Sequence, residues 1–277
     1  MKYQLDKMSK LPTPQVYPDS WLFPSIYRTP LKWKISSRLV MAAVGACSKI
    51  WIEWLNKTKV HNEKTLTEAV ESRPAERGLV TISNHSCCID DPLMWGVLKM
   101  SSLLSNSSMR WTPTAEDICF TKQLHAWFFS MGQCVPVRRG CGVYQKSMDF
   151  LLDKLNYGQW VHFFPEGKVN LADDKLLRFK WGVGRLIAEC KISPIVLPIV
   201  HIGMENVLPN KTPYIPQIRK NVTLLVGNPM DFAKDIELLK SLKKSPRDIR
   251  KHITDRLQEE LRILHEKATH IHSALSR

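Results

Sequence analysis

Between Leu79 and Val226, short apolar runs alternate with stretches of helical periodicity, and that alternation leaves few folds open. The runs Leu79–Ile82, Gln133–Val137, Trp160–Phe164, Ile195–Val200 and Asn221–Val226 are too short for helices. They lack strict polar alternation and are set off by turn residues, as strands buried on both faces are. The stretches between them predict helices over 122–131, closed by Gly132, over 143–156, with Met148, Leu151, Leu152 and Leu155 on one face, and over 177–190. Strands joined by helices predict an α/β fold with a central, largely parallel sheet flanked by helices. Val60–Ser72 predicts a short amphipathic helix, and Ser101–Ser108 reads as a serine-rich loop.

Each end of the chain adds an element. Residues 1–31 are an arm punctuated by Pro12, Pro14, Pro18, Pro24 and Pro30. In that arm Trp21, Leu22, Phe23, Ile26 and Tyr27 are candidates to dock on the domain or on lipid. Residues 32–58 hold an N-terminal interfacial helix, bracketed by Lys32, Trp33 and Lys34 at one end and by Trp51 and Trp54 at the other. Indole and ammonium groups both favour the headgroup level, so Trp33, Trp51 and Trp54 are candidate membrane contacts. The longest apolar run there, Leu39–Cys47, is too short to span a bilayer. Residues 59–230 form the α/β domain. Residues 231–277 end in a long helix, capped by Ser245, with Pro246 in its first turn and Asp248 reaching back. Ile249, Ile253, Leu257, Leu261, Leu264, Ala268 and Ile271 make its apolar stripe.

The formal net charge of +14, from 40 Lys and Arg against 26 Asp and Glu, favours polyanionic partners. The chain shows no zinc-finger spacing, arginine-rich arm or RNA-recognition motif, which points to an anionic membrane surface and away from nucleic acid. Its 7 cysteines are scattered and no pair has metal-ligand spacing, so buried free thiols and no metal site are expected. Cys87 and Cys88 lie beside His85, but no second oriented base is visible to activate either thiol.

The chemistry concentrates in the turn after Leu79–Ile82, which reads Ser83-Asn84-His85-Ser86-Cys87-Cys88-Ile89-Asp90-Asp91-Pro92. Asp91 followed by Pro92 reads as an N-cap and first helical residue. Residues five apart on a helix face different ways, so only a turn brings the Asp90 carboxylate to the His85 ring. A carboxylate there fixes the tautomer and steadies the imidazolium, which suits His85 to act as a general base. Two further strand ends carry polar groups. Phe164-Pro165-Glu166-Gly167 sets a carboxylate and a glycine backbone at the mouth of the sheet, where a phosphate can approach Gly167. Arg138 and Arg139 follow another strand and suit a phosphate clamp. Together these describe a base, an anion clamp and a headgroup pocket.

Asn84-His85 with Asp90, the strand from Gly132 to Arg138, Phe164–Gly167 and Val196-Leu197-Pro198-Ile199 resemble the four ordered blocks of the glycerolipid acyltransferase superfamily. Long runs such as Asp117–Lys122, Leu177–Gly182, Gly184–Cys190 and Val207–Asn210 narrow the likeness to one branch, over roughly residues 32–230. Lys168-Val169-Asn170 follows Phe-Pro-Glu-Gly, where many CoA-dependent relatives carry Thr or Ser and then Arg. Two features depart from the branch: Ser86-Cys87-Cys88-Ile89 stands where Gln-Ser-Cys-Met is expected, and the arm is longer.

The resemblance implies a CoA-independent transacylase between phospholipids and lysophospholipids that remodels cardiolipin from monolysocardiolipin, with no cofactor. It also implies a peripheral position on mitochondrial membranes facing the intermembrane space, where a membrane-associated oligomer is compatible. By motif, His85 and Asp90 are the catalytic pair, Glu166 and Gly167 belong to the headgroup block, and Arg138 to the glycerophosphate block. An acyl-CoA-dependent lysophospholipid acyltransferase and a non-catalytic cardiolipin-binding scaffold are the alternatives.

Overall fold

The computed structural model describes residues 21–24, 29–105, 108–171 and 175–275. Helix α1 (Leu31–Lys49) runs on into a π-turn at Ile50–Trp54. There follow β1 (Lys57–His61), α2 (Glu63–Glu71), β2 (Leu79–Ser83), α3 (Asp90–Met94) and α4 (Met100–Leu103). The middle of the chain supplies β3 (Thr112–Ala115), α5 (Glu116–Cys119), α6 (Gln123–Met131), β4 (Cys134–Val137), α7 (Lys146–Asn156) and β5 (Trp160–Phe163). Then come α8 (Gly182–Glu189), β6 (Ile195–Ile202), α9 (Met204–Val207), β7 (Asn221–Val226), α10 (Ala233–Ser241) and α11 (Pro246–Leu275).

The central sheet has the order β1-β7-β6-β2-β5. β2 pairs in parallel with β5 and β6, and β1 with β7, while β6 and β7 are antiparallel. β3 and β4 form a parallel pair joined to the sheet edge by a bridge from Trp111 to Val161. The strands are apolar on both faces because both are covered. Val80, Ile82, Val161, Val196 and Val200 pack under α7, α8 and α11, and Leu79, Trp160, Leu197 and Ile199 pack under α1, α2 and α3. The stripe of α11 is the largest helical contribution to the first layer, with Ile253, Leu257 and Leu261 at 0 % exposure. Its first turn is closed as expected, the Asp248 N–H donating to Ser245 Oγ at 3.2 Å and Ser245 Oγ donating to Asp248 at 2.6 Å. Ile195–Ile202, as the buried strand β6, is not available to lipid.

Several expectations change. Lys57–His61 is a strand across the junction where the 32–58 helical segment and the Val60–Ser72 helix are expected to meet. Two of its first three residues are lysines because it is a sheet edge, where charge discourages further pairing. Thr112–Ala115 is likewise a strand, hidden by its Thr-Pro-Thr-Ala composition. α4 occupies part of the serine-rich stretch, and α10 precedes the terminal helix. α8 starts at Gly182 because the backbone before it is tied elsewhere: Leu177 N–H to Glu166, Phe179 N–H to Gln258, and Lys180 N–H to Pro165 O. α6 ends at Gly132 with φ −77°, and Gln133 takes the left-handed conformation at φ 61°.

α1 and its π-turn form a continuous 24-residue helix with mean hydropathy 1.3 in its most apolar 18-residue window, 28 % of which is buried. Length and composition admit a membrane span, against the expectation from the shorter run Leu39–Cys47. One face, Ser37, Met41, Gly45, Ser48 and Ile52, is packed on the domain. The packing is close: a Cβ on Gly96 would lie 2.6 Å from Ser48 O. The opposite face exposes Leu31, Ile35, Leu39 and Ile50. A helix apolar on both sides needs a second apolar neighbour besides the domain. Of the three tryptophans, Trp33 stacks on Trp111 at 6.0 Å, Trp51 is half-buried beside the second core layer, and Trp54 is 75 % exposed. In the arm, Trp21 and Phe23 pack against Phe150, and Phe23 against Trp111. Ile26 and Tyr27 lie outside the described residues.

Candidate active site

Because β2, β5 and β6 are mutually parallel in direction from β2, their carboxyl ends open on one edge, where ligands bind in α/β sheets. The loop after β2 brings His85 there, the loop after β5 brings Glu166, and β6 ends beside them at His201. A cleft of about 620 Å³ lies between these loops, lined by His85, Glu166, His201 and Glu205 among others.

The loop folds around Asp90. Oδ2 of its fully buried carboxylate accepts N–H groups from Ser86 at 2.7 Å and Cys87 at 2.8 Å, and lies 2.9 Å from His85 Nδ1. The expected meeting of His85 with Asp90 is therefore present. A carboxylate at Nδ1 favours the tautomer that carries its proton on that nitrogen, which leaves Nε2 with its lone pair free. Phe164 stacks on the imidazole at 4.1 Å between ring centres and fixes its plane. Asn84 pins the loop to β6, donating to His201 O at 2.8 Å and accepting from the His201 N–H at 3.0 Å. His201 Nε2 lies 2.9 Å from Asn84 O and 3.4 Å from Asp90 Oδ2. Sequence reasoning missed both roles of Asn84 and His201, since an apolar strand gives no sign that one of its residues turns toward the site.

Asp91 is not the helix cap. α3 begins at Asp90, and the Asp91 carboxylate turns inward to Arg110 Nε at 3.0 Å, Trp95 Nε1 at 3.0 Å and Thr112 Oγ1 at 3.2 Å. Burial pushes the Asp91 carboxyl up, but the Arg110 charge and hydrogen bonds outweigh it and hold the group below its usual range. This ion pair fastens α3 to the start of β3. Under the loop, His162 is fully buried against Thr81 Oγ1 at 2.8 Å, and burial lowers its pKa to about 3, so it is a neutral floor of the site.

Glu166 is 2 % exposed and works within the protein. Oε1 accepts the His85 N–H at 3.1 Å, and Oε2 accepts the Leu177 N–H at 2.8 Å and Asn170 Nδ2 at 3.1 Å. Burial raises its carboxyl above the usual value, and these donors partly offset the rise. Gly167 has φ 74° and its N–H donates to Phe164 O at 3.0 Å, so a turn engages the group expected to face phosphate. Arg138 and Arg139 follow β4, three strand spacings from β2 or about 14 Å. Arg138 Nε donates to Glu116 at 2.9 Å, Arg139 pairs with Asp117, and neither lines the His85 cleft. Cys87 is buried, its thiol pushed up through contact with Cys88 and burial, and neither it nor the exposed Cys88 lines the cleft.

An Acyltransferase family model matches residues 57–202, which span β1 through β6 and hold His85, Asp90, Arg138 and Glu166. Tafazzin of Drosophila melanogaster is 44 % identical over 257 residues, 92 % of this chain and 68 % of that protein. The chain belongs to the tafazzin family of acyltransferases. Within this family the enzyme is an acyltransferase that acts on phospholipids. N-acylphosphatidylethanolamine synthase of Arabidopsis thaliana is 40 % identical over 81 % of this chain and 79 % of that protein. The crystal structure of a 1-acyl-sn-glycerophosphate acyltransferase, PlsC, from Thermotoga maritima superposes with a TM-score of 0.52 over 80 % of each chain at 18 % identity, a likeness of fold.

Proposed function

We propose that this tafazzin-family acyltransferase moves an acyl chain from a phospholipid to a lysophospholipid without CoA, and that its acceptors include monolysocardiolipin. The observation that carries the reading is the His85–Asp90 contact of 2.9 Å, with the same Asp90 oxygen held by two backbone N–H groups. His85 Nε2 takes the proton of the acceptor hydroxyl as its oxygen attacks the donor ester. The tetrahedral adduct collapses, the C–O bond to the donor breaks, and the imidazolium returns the proton to the departing lysolipid oxygen. Asp90 orients the ring and stabilises its charged form. The N–H groups of His85, Ser86 and Cys87 are already engaged by Glu166 and Asp90, so the oxyanion donors lie outside these three.

The outer face of α1, with Trp54 at its end, rests on the surface of a mitochondrial membrane facing the intermembrane space, and the net charge of +14 supports attraction to anionic lipid. Glu166 and Gly167 shape the headgroup side of the cleft by holding the His85 backbone and the Phe164 turn. The 40 % identity to an N-acylphosphatidylethanolamine synthase favours one second reading, in which the acceptor is a headgroup amine instead of a hydroxyl.

The test is acyl transfer from labelled phosphatidylcholine in liposomes, without CoA, to monolysocardiolipin or to phosphatidylethanolamine amine, for wild type and His85→Ala together. Transfer to the hydroxyl acceptor that is lost in the variant supports the reading. Transfer that requires acyl-CoA moves the enzyme to the CoA-dependent class, and binding of lipid without transfer leaves a scaffold.

A further inference from the structure

We infer that Lys175 and Lys211 hold the phosphate groups of the lipid acceptor, one on each side of His85. The inference rests on the reading that His85 receives the acceptor hydroxyl, and it names what positions that hydroxyl.

The charges of the cleft divide unequally. Its carboxylates are engaged by the protein: Glu166 by the N–H groups of His85 and Leu177 and by Asn170, and Glu205 by Ser86 Oγ at 3.1 Å, the Gly203 N–H at 3.1 Å and Asn206 Nδ2 at 3.3 Å. Its lysines are not. Lys175 and Lys211 both line the cleft and are exposed there, and neither has an acidic partner among the described residues. Among the described residues, the two lysines are therefore the cations of the cleft whose donors stay open to an anionic ligand. Arg138 and Arg139 are not among them, since they pair with Glu116 and Asp117 outside the cleft.

The two lysines come from opposite sides of the base. Lys175 is in the segment after β5 and Lys211 in the segment after β6 and α9, while β2, which leads to His85, lies between β5 and β6 in the sheet. The flanking strands are two spacings apart, about 10 Å. Asn210, beside Lys211, ties its segment to the His85 loop by donating to Ser86 O at 2.6 Å, and Asn170 ties the other segment by donating to Lys175 O at 2.8 Å. Both ammonium groups thus hang from backbone anchored within the site. A compact ammonium on a flexible stem suits a phosphodiester that is held as a point charge. The matching ligand is a headgroup with two phosphodiesters flanking a central polyol. A headgroup with one phosphate engages one lysine.

The test compares wild type, Lys175→Gln, Lys211→Gln and the double variant, with a lysolipid bearing two phosphates and with lysophosphatidylcholine. Each single change raises KM for the two-phosphate acceptor about tenfold and the double change about a hundredfold, with kcat nearly constant. For lysophosphatidylcholine, the double change raises KM by about tenfold at most. Equal effects on both acceptors, or a KM change that only follows loss of vesicle binding, overturn the inference. A second arm needs no catalysis. Calorimetry measures binding of the water-soluble deacylated two-phosphate headgroup, and of inorganic phosphate, to His85→Ala and to the double lysine variant. Headgroup binding kept by His85→Ala and lost from the double variant supports the subsite, even if wild type transfers no acyl chain and the transacylase reading has failed. Headgroup binding kept by the double variant overturns it, as does inorganic phosphate binding as tightly as the headgroup.

Discussion

Two charged pairs stand at the carboxyl ends of strands, one on the central sheet and one on the two-stranded sheet beside it, and they differ in burial and in how they are held. Asp90 with His85 lies at the end of β2, and Glu116 with Arg138 joins the ends of β3 and β4. The side chain of Asp90 is 0 % exposed and that of His85 18 %, whereas that of Arg138 is 67 % exposed. The Asp90 oxygen that meets His85 also takes two backbone N–H groups, so its position is fixed before any substrate arrives. The Arg138 pair is the kind that water and salt weaken, and such pairs add little to stability. A motif of charged residues at a strand end thus says little about a site until burial shows which pair is preorganised.

The largest effect that can break this contrast is at His85. His85→Ala is expected to lower the acyl-transfer rate about 10²–10⁴-fold with the thermal midpoint little changed, because general acid–base catalysis of this kind is worth that much. Near-normal turnover in liposome assays would remove His85 as the base. Asp90→Asn follows at about 10²–10³-fold, within the range of general acid–base catalysis, because the neutral amide no longer stabilises the imidazolium and, with its NH2 toward the ring, favours the wrong tautomer. Unlike His85→Ala it also loosens the loop, so a fall in thermal midpoint is expected beside the loss of rate.

The floor of the site adds a pH dependence that the Arg138 corner lacks. His162 titrates near 3 in the folded protein and near 6.5 when unfolded. Between those values the unfolded chain binds the extra proton, so stability is full above about 6.5 and falls as pH drops toward about 3. Urea unfolding across that range is expected to show a slope that His162→Gln flattens. An unchanged slope would mean that His162 is not the group responsible.

The β2 turn was legible because its chemistry is local: His85 and Asp90 are five residues apart in a loop between two readable elements. The parallel strands were legible because covering both faces leaves an uninterrupted apolar run, as in Ile195–Val200. What escaped was set by neighbours distant in sequence. Lys57–His61 is a strand because β7 pairs with it, although lysines dominate its start. Asp91 looks like a cap beside Pro92, yet Arg110, 19 residues on, draws it inward. Trp33 reads as an interfacial anchor, but Trp111 supplies a stacking partner that periodicity does not reveal. The engaged Gly167 N–H and the placement of Arg138 are of the same kind, since sequence places a residue at a strand end without stating what its polar groups meet there.

The smallest expected effect is the most informative about Arg138. If the Arg138–Glu116 pair is only a surface contact, Arg138→Gln leaves the thermal midpoint nearly unchanged, and high salt reduces even that small difference. Turnover should then stay within about threefold of wild type, and Glu116→Gln should match it. The resemblance to the glycerophosphate block makes the opposite demand. If Arg138 leaves Glu116 to clamp a phosphate, then Arg138→Gln raises KM by at least tenfold, and Glu116→Gln, which frees the guanidinium, lowers it. The two variants move KM in opposite directions only when the pair competes with substrate, so parallel measurement of KM separates a surface ion pair from a clamp closed on its own carboxylate.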